Sequence, residues 1–573
     1  MSSLPLSAAF YSAPLSTPDF ESSKKQEVVR STANFIPSIW GDQFLEYNEK
    51  DAYVVDEQLV EELKEKVRKE LMISASDESM TQHLEVLEFI DAVQRLGIAY
   101  HFEEEIEKAL EHIYITYGDS WIDNKNLKSI SLWFRLLRQQ GFNVSCGIFK
   151  NQMDVDGKFK ESLTNDALGM LGLYEAAYMR IEGEKILDDA IEFTKIHLGM
   201  MAKDPSCDSL LRTQIEQALK QPLRKKLQRI EALRFIPIYA QEANHDEILL
   251  KFAKLDYNMV QSLHKHELSQ VSKWWRDLDV RNKLPFVRDR LVEGFFWMLG
   301  IHFEPQHSRT RIFLTKLCMW TIVFDDLFDN YGTYEELDLI TQAVQRWSLS
   351  CLNDLPEYMQ VIYRELLESH QEMEQELEKE GKAYHIHYIK EMAKEYTRYL
   401  VMEAKWVKDG YIPKVEEYMV VSEITGAYAL VTARSYVGEG DYVTEDAFKW
   451  VAAHPPIVKA SAMVLRLMDD IGGHKIEQER DHVASCIECY EKETGGSEEE
   501  ACEYFSKKVE DAWKVMNRAL LRPTDVAVPL LMPPLNLARV ADTFYSGGRD
   551  GYSHGGSDIK YYIQALFVNP MDA

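Results

Sequence analysis

Apolar residues along this 573-residue chain recur at helical spacing almost from end to end. Between residues 57 and 71, Leu59, Leu63, Val67 and Leu71 return every fourth position with charges between them. That pattern predicts an amphipathic helix with one buried stripe. Val86, Phe89, Ile90, Val93 and Leu96 repeat the signal in a second segment. The stretch from Arg311 to Phe328 is apolar on several faces, as expected of a helix enclosed by others. Alternating runs and hairpin dipeptides are scarce, so the predicted class is all-α. No fixed repeat period emerges, which argues against a helical solenoid. The length calls for more than one core. A boundary is expected near residues 236–246, beyond the Arg-rich segment Leu223–Arg234 and around Pro237. The expected layout is a disordered tail over 1–29, a helical domain over 30–242 and a second over 243–573.

Composition narrows the partners. Sixty-five basic side chains face 94 acidic ones, a formal charge of −29. Such a surface repels phosphate backbones and anionic lipid, so neither nucleic acid nor a membrane surface is an expected partner. No apolar run is long enough to span a membrane. Seven cysteines, an odd and scattered set, predict reduced thiols. Cys486 and Cys489 form a lone CxxC without a second pair, and two cysteines on a helix face is its plainer reading. Residues 1–18 are Ser-rich and free of acids, like the start of a plastid leader, but Asp19 and Glu21 follow and the first Arg is Arg30. The expected location is cytoplasmic, and the weak default assembly is a monomer.

The densest chemistry is Asp325-Asp326-Leu327-Phe328-Asp329, at the end of the apolar segment. Asp325 and Asp329 lie one helical turn apart and project from one face. Crowded carboxylates repel unless a cation neutralises them, and hard oxygen donors suit Mg2+, which commonly shares its shell with a substrate phosphate. A solvated acidic helix end is the bland alternative. Asp469, Gly473 and Glu477, spaced by four, place a second acidic face on another helix, with Arg466 three positions earlier on the same side. Arg288 and Arg290 flank a single residue and could grip diphosphate oxygens with forked donors. Trp297 could offer a ring face to a cation, although a Trp on such a helix is more commonly core.

This order of motifs resembles the plant class I terpene synthases, most of all the cytosolic sesquiterpene members. Arg-x-Arg at 288–290 precedes Asp325 by 37 positions, and Phe296-Trp297, the DDxxD, the Asp469–Glu477 string and Tyr545-x4-Asp550-Gly551-Tyr552 follow the family's sequence. Arg30 with Trp40 looks like the family's RR(x)8W region, Ser31 standing in place of the second Arg, which weakens the case for an isomerising monoterpene route. Arg95–Phe102, Trp133–Arg138 and Leu173–Ala177 also look like family signatures, so the likeness runs from about residue 28 onwards. The string Asp154-Val155-Asp156-Gly157 lacks the final acid of the DxDD that protonates class II substrates.

The resemblance implies a two-domain all-α fold, with catalysis in the C-terminal helical bundle. It implies that Asp325, Asp326, Asp329, Asp469, Gly473 and Glu477 mark the positions around three Mg2+ ions, with Mn2+ as a possible substitute. Gly473 replaces the usual Ser or Thr, so a water would complete that shell. Arg288, Arg290 and Arg466 would hold the diphosphate of a prenyl substrate, beside the metal-bound Asp325, Asp329 and Asp469. Trp297, Tyr545 and Tyr552 would line the cavity, Asp550 would bond near Tyr545, and Ile424, Thr425, Gly426 and Tyr428 would complete the wall. The implied reaction is ionisation of farnesyl diphosphate and cyclisation to a sesquiterpene, or the same chemistry on a ten- or twenty-carbon diphosphate. A chain-elongating prenyltransferase would show two DDxxD motifs in about half this length, and a scaffold would not need these acids.

Overall fold

The computed structural model describes residues 30–572 except 31–34, 48–55, 75–79, 119–125, 479–481 and 554, and within helices omits the side chains of 73, 74, 80 and 477. The proposed 1–29 tail and Ser31 therefore lie outside the described residues. No strand forms among the described residues; Met153 and Phe159 share one isolated bridge. The all-α expectation holds.

The N-terminal half consists of α1 (Glu57–Ser74), α2 (Met80–Arg95), α3 (Glu103–Tyr117), α4 (Leu127–Gln139), α5 (Ala167–Ala177), α6 (Lys185–Lys203), α7 (Ser209–Lys220) and α8 (Gln228–Tyr239). Leu63, Val67 and Leu71 are buried on α1, and Val86, Ile90 and Val93 on α2, so the fourfold stripe marks the buried face. Pro237 sits inside α8 rather than in a linker. The turn from α8 to the next helix spans only residues 240–246.

The long α9 (Glu247–Asp277) opens the second half, capped by Asp246, whose carboxylate accepts the Leu249 N–H. The short α10 (Val280–Lys283) leads to α11 (Leu291–Ile301), α12 (Ser308–Asn330), α13 (Tyr334–Arg346), α14 (Glu357–Glu378) and α15 (Tyr384–Asp409). Then come α16 (Val415–Thr425), α17 (Tyr428–Ser435), α18 (Glu445–Ala452), α19 (Pro456–Glu477), α20 (Cys486–Thr494), α21 (Glu498–Ala519), α22 (Val528–Tyr545) and α23 (Ser557–Phe567). α11, α12, α15, α17, α19 and α22 pack around one another as a bundle. Its core is continuous with that of the N-terminal half.

The Arg-rich segment explains how the halves join. Arg224 donates to Asn517, Lys225 pairs with Glu510 at 2.5 Å, and Gln221 donates to Asp542. All three residues on the N-terminal side are drawn to α21 or α22, and Arg180 adds a second cation to Glu510 at 2.6 Å. Buried ions persist only when paired, so this interface holds the two halves in one register.

Candidate active site

The two acidic motifs are built alike. On α12, Asp325 and Asp329 look into a recess, while Asp326, a third of a turn round, is fully buried. One Asp326 oxygen accepts the Arg288 backbone N–H at 2.8 Å, the other its Nε at 2.7 Å. Arg288 Nη2 reaches Asp325 at 2.6 Å. Asp326, grouped above with the metal positions, thus acts as the anchor of Arg288, because adjacent residues on a helix cannot share a face. On α19, buried Asp470 plays the matching part. It accepts from Arg466 Nη2 at 2.9 Å, from the Tyr418 hydroxyl at 2.6 Å and from the Cys486 backbone N–H at 2.8 Å. Arg466 in turn lies 3.4 Å from Asp469. Each doublet therefore supplies one recess-facing acid and one that fixes an arginine.

Both faces border the same recess. Asp329 is pushed well above the usual carboxylate range by desolvation and by the charges of Asp325 and Glu403, against the pull of Arg288 and Arg466. It is nonetheless open to water, a carboxylate in a recess ringed by protein. Tyr545 is raised by burial and then by Asp469 and Asp550, with Arg288 opposing. Its hydroxyl thus feels charges from both clusters. Glu477 ends α19 two turns beyond Asp469, and Gly473 lies between them; the Glu477 side chain falls outside the described residues. Hard oxygen donors crowded at like charge, with two fixed arginines beside them, are a donor set that fits a divalent cation carrying an anionic ligand.

Arg290 departs from expectation. Its guanidinium is buried and donates to the backbone carbonyls of Asp289, Ile36, Tyr552 and Ser553. With its donors committed to main chain, it ties two segments across the site instead of facing the recess. One is the N-terminal stretch around Phe35 to Trp40. The Phe35 ring lies 4.9 Å from the Arg288 guanidinium carbon, and Trp40 Nε1 donates to Glu293 at 2.8 Å. Arg30 pairs with Glu336 at 2.8 Å and stacks over Tyr331. The other is the Gly-rich C-terminal loop. Asp550 Oδ1 accepts the backbone N–H groups of Tyr552 and Ser553, so this acid shapes the turn that carries Tyr552.

Aromatic rings form one wall. Trp297 stacks on Phe544 with centroids 4.7 Å apart and meets Tyr552 and Tyr545 at 5.4 and 6.2 Å. The Tyr552 hydroxyl is buried without a hydrogen-bond partner. Opposite, α15 brings Tyr396 and Glu403 to one face. Thr425 donates to Glu403 at 2.8 Å, and the Tyr428 hydroxyl donates to the Leu537 carbonyl at 3.0 Å. Ile424 is half-buried beside them. Between α16 and α17 the chain breaks at Ala427, with φ of 60°. At Gly426 a Cβ would be crowded, 3.2 Å from both Arg466 Cδ and the Ser422 carbonyl oxygen.

Glu403, Asp470 and Tyr418 stand out in no sequence pattern as site residues, and Arg30 and Trp40 do so only as part of the N-terminal motif. Burial raises Glu403 to about 7. Its ordinary pKa is near 4.5, so in the metal-free protein the folded state binds more protons than the unfolded between those values. Stability therefore falls as pH rises through that window, by about 3 kcal/mol for 2.5 units. Urea midpoints of metal-free wild type and Glu403→Gln from pH 4.5 to 7.5 should diverge, the variant's profile being flatter. Parallel profiles would mean Glu403 titrates normally.

Gly472 makes a separate prediction. A Cβ there would sit 3.1 Å from the Arg549 carbonyl carbon. Gly472→Val should lift the 547–553 loop and lower turnover about 10- to 100-fold, as misplaced site walls do. Faster amide exchange over that loop would accompany it; unchanged exchange and turnover would show the contact to be slack.

Two family models match the chain: the terpene synthase N-terminal domain over residues 39–219 and the terpene synthase family metal binding domain over 276–515. An (E)-beta-farnesene synthase from Artemisia annua is 61% identical over the whole of both chains. The chain belongs to the terpene synthase family. A sesquiterpene synthase from Xanthium strumarium is 50% identical over 96% of this chain and 99% of its own. Isoprene synthase from grey poplar, solved with three Mg2+ ions and dimethylallyl-S-thiolodiphosphate, superposes with a TM-score of 0.84 at 32% identity, over 90% of this chain and 97% of that one. The synthase is thus an enzyme acting on a prenyl diphosphate, with a domain of the family's metal-binding type. No helix among its described residues is long and apolar enough to cross a membrane.

Proposed function

We propose that this synthase ionises farnesyl diphosphate with magnesium and closes the fifteen-carbon cation into a cyclic sesquiterpene. The observation that carries the reading is the pair of arginine-anchored acidic helix ends bordering one aromatic-walled recess. Substrate length is supported by the relatives named as farnesene and sesquiterpene synthases. Asp325, Asp329, Asp469 and Glu477 would hold the ions, three in number as in the poplar isoprene synthase complex. Mn2+ would substitute, and a water would fill the place Gly473 leaves. Bound there, the ions supply Lewis-acid stabilisation of diphosphate as it leaves.

The protein's own part is positional. Arg288 and Arg466, held by Asp326 and Asp470, keep positive charge beside the departing oxygens without reorganising. Trp297, Tyr545 and Tyr552 offer ring faces to the cation, each worth about 0.5–2 kcal/mol depending on desolvation. Arg290 draws the Phe35–Trp40 segment and the Tyr552 loop together, which excludes water that would quench the cation. A cytoplasmic location and a monomeric state belong to the same reading, the location in keeping with seven free thiols.

Purified synthase incubated with farnesyl diphosphate and Mg2+ should release C15 hydrocarbon or alcohol into a hexane overlay, read by gas chromatography–mass spectrometry. Preferred turnover of ten- or twenty-carbon diphosphates would overturn the chain length. A second reading, direct deprotonation to an acyclic farnesene, is favoured by the 61% identical relative; ring-free products would establish it over cyclisation. Gly473→Ser should retain activity, since a hydroxyl can replace the water. Its inactivation would show that Gly473 serves packing instead.

A further inference from the structure

We propose that His302, Glu304 and His307 form a zinc site at the corner between α11 and α12, separate from the acidic recess. One ligand atom from each of the three lies within 4.8 Å of the others. The local chain explains the convergence. His302 caps the C-terminal end of α11, a single 3-10 turn follows over Pro305–His307, and α12 begins at Ser308. The two imidazole rings lie 4.5 Å apart between centroids.

The decisive feature is His302. It is 8% exposed, and its Nε2 is buried with no hydrogen-bond partner. With the ring proton on Nδ1, this nitrogen would offer its lone pair, the state in which imidazole binds metal. His307 Nδ1 meets Glu439 Oε1 at 2.8 Å. A carboxylate behind a histidine is the arrangement that orients metal ligands from outside the coordination shell.

Charge balance suits a divalent cation. Glu304, Glu439 and Glu103 gather at the corner around the two imidazoles. The neighbouring Arg311 is already matched to Glu267 at 2.7 Å. Two imidazoles and one carboxylate fit Zn2+ better than Mg2+, which prefers an all-oxygen shell, and a water would complete the tetrahedron. Along α12, Asp325 lies 17 residues beyond Ser308, roughly 26 Å at 1.5 Å per residue. An ion at this corner takes no part in ionisation. It would clasp the α11–α12 turn to Glu439 and to the start of α3, where Glu103 comes from the N-terminal half.

The test uses the full chain, stripped with EDTA and held in excess MgCl2 so that hard sites are filled. Co2+ titrated into it should give one equivalent of visible d–d absorption, displaced by Zn2+, and Zn2+ should raise the melting temperature. His302→Gln and His307→Gln should each abolish the bands while Mg2+-supported turnover persists. Glu439→Gln should weaken Co2+ about 10- to 100-fold by loosening His307. Absence of the bands, their persistence in the His302→Gln/His307→Gln double variant, or a thiolate charge-transfer band pointing to Cys486 and Cys489 would overturn the proposal. Should the histidine variants fail to fold by circular dichroism, Glu304→Gln decides: unchanged Co2+ affinity there also overturns it.

Discussion

Asp325→Ala should lower kcat/KM for farnesyl diphosphate by about 10^3-fold or more, some 4 kcal/mol of transition-state stabilisation. The substitution removes a recess-facing carboxylate and also releases Arg288 Nη2, which now spans Asp325 and Asp326. Ligand and arginine act on the same leaving oxygens, so the two losses do not add independently. The side chain is 36% exposed, so the fold should survive. Asp325→Asn keeps the shape but not the charge and should fall nearly as far, with a raised Mg2+ requirement. Wild-type turnover in either variant would remove Asp325 from the metal site. So would a loss accompanied by a falling melting temperature, which would make its role structural.

Arg288→Met should destabilise the protein by about 3–5 kcal/mol, as expected when one member of a buried pair is removed. Asp326 is fully buried, and both of its oxygens are satisfied by Arg288. Desolvation already raises Asp326 above its ordinary pKa, with Arg288 the main opposing influence. Without the guanidinium it rises further. A carboxyl raised in the folded state binds its proton there while the unfolded chain has lost it, so stability falls as pH climbs from the unfolded value through the folded one. The deficit of Arg288→Met should accordingly shrink on acidification. Urea unfolding of wild type, Arg288→Met, Asp326→Leu and the double variant would measure the coupling. The double variant should regain stability but not turnover. Equal losses at every pH would show that Asp326 is not the stranded group.

The same pair shows what could and could not be read from the chain. Asp325 and Asp329 were legible as one face because four residues make a turn, and Asp469 and Glu477 because eight make two. That Asp326 and Asp470 turn inward follows from the same geometry, but which arginine each would meet does not. Arg288 and Arg290 look equivalent in sequence; two positions apart, they serve a carboxylate pair and four carbonyls. Trp40, 253 positions from Glu293, and Arg30, 306 from Glu336, are brought together only by the folded domain. Glu403 carried no motif at all. Its significance comes from burial beside Thr425 and from the charges around it.

Local periodicity and spacing, which depend only on the turn of the helix, sufficed to determine that this protein is all-α and that two helices end in acidic faces beside arginines. Whether those faces share one recess, which acids anchor and which stay open, and what covers the opening were decided by tertiary packing. Electrostatics and desolvation act through space, and a side chain's environment is set by neighbours hundreds of residues away.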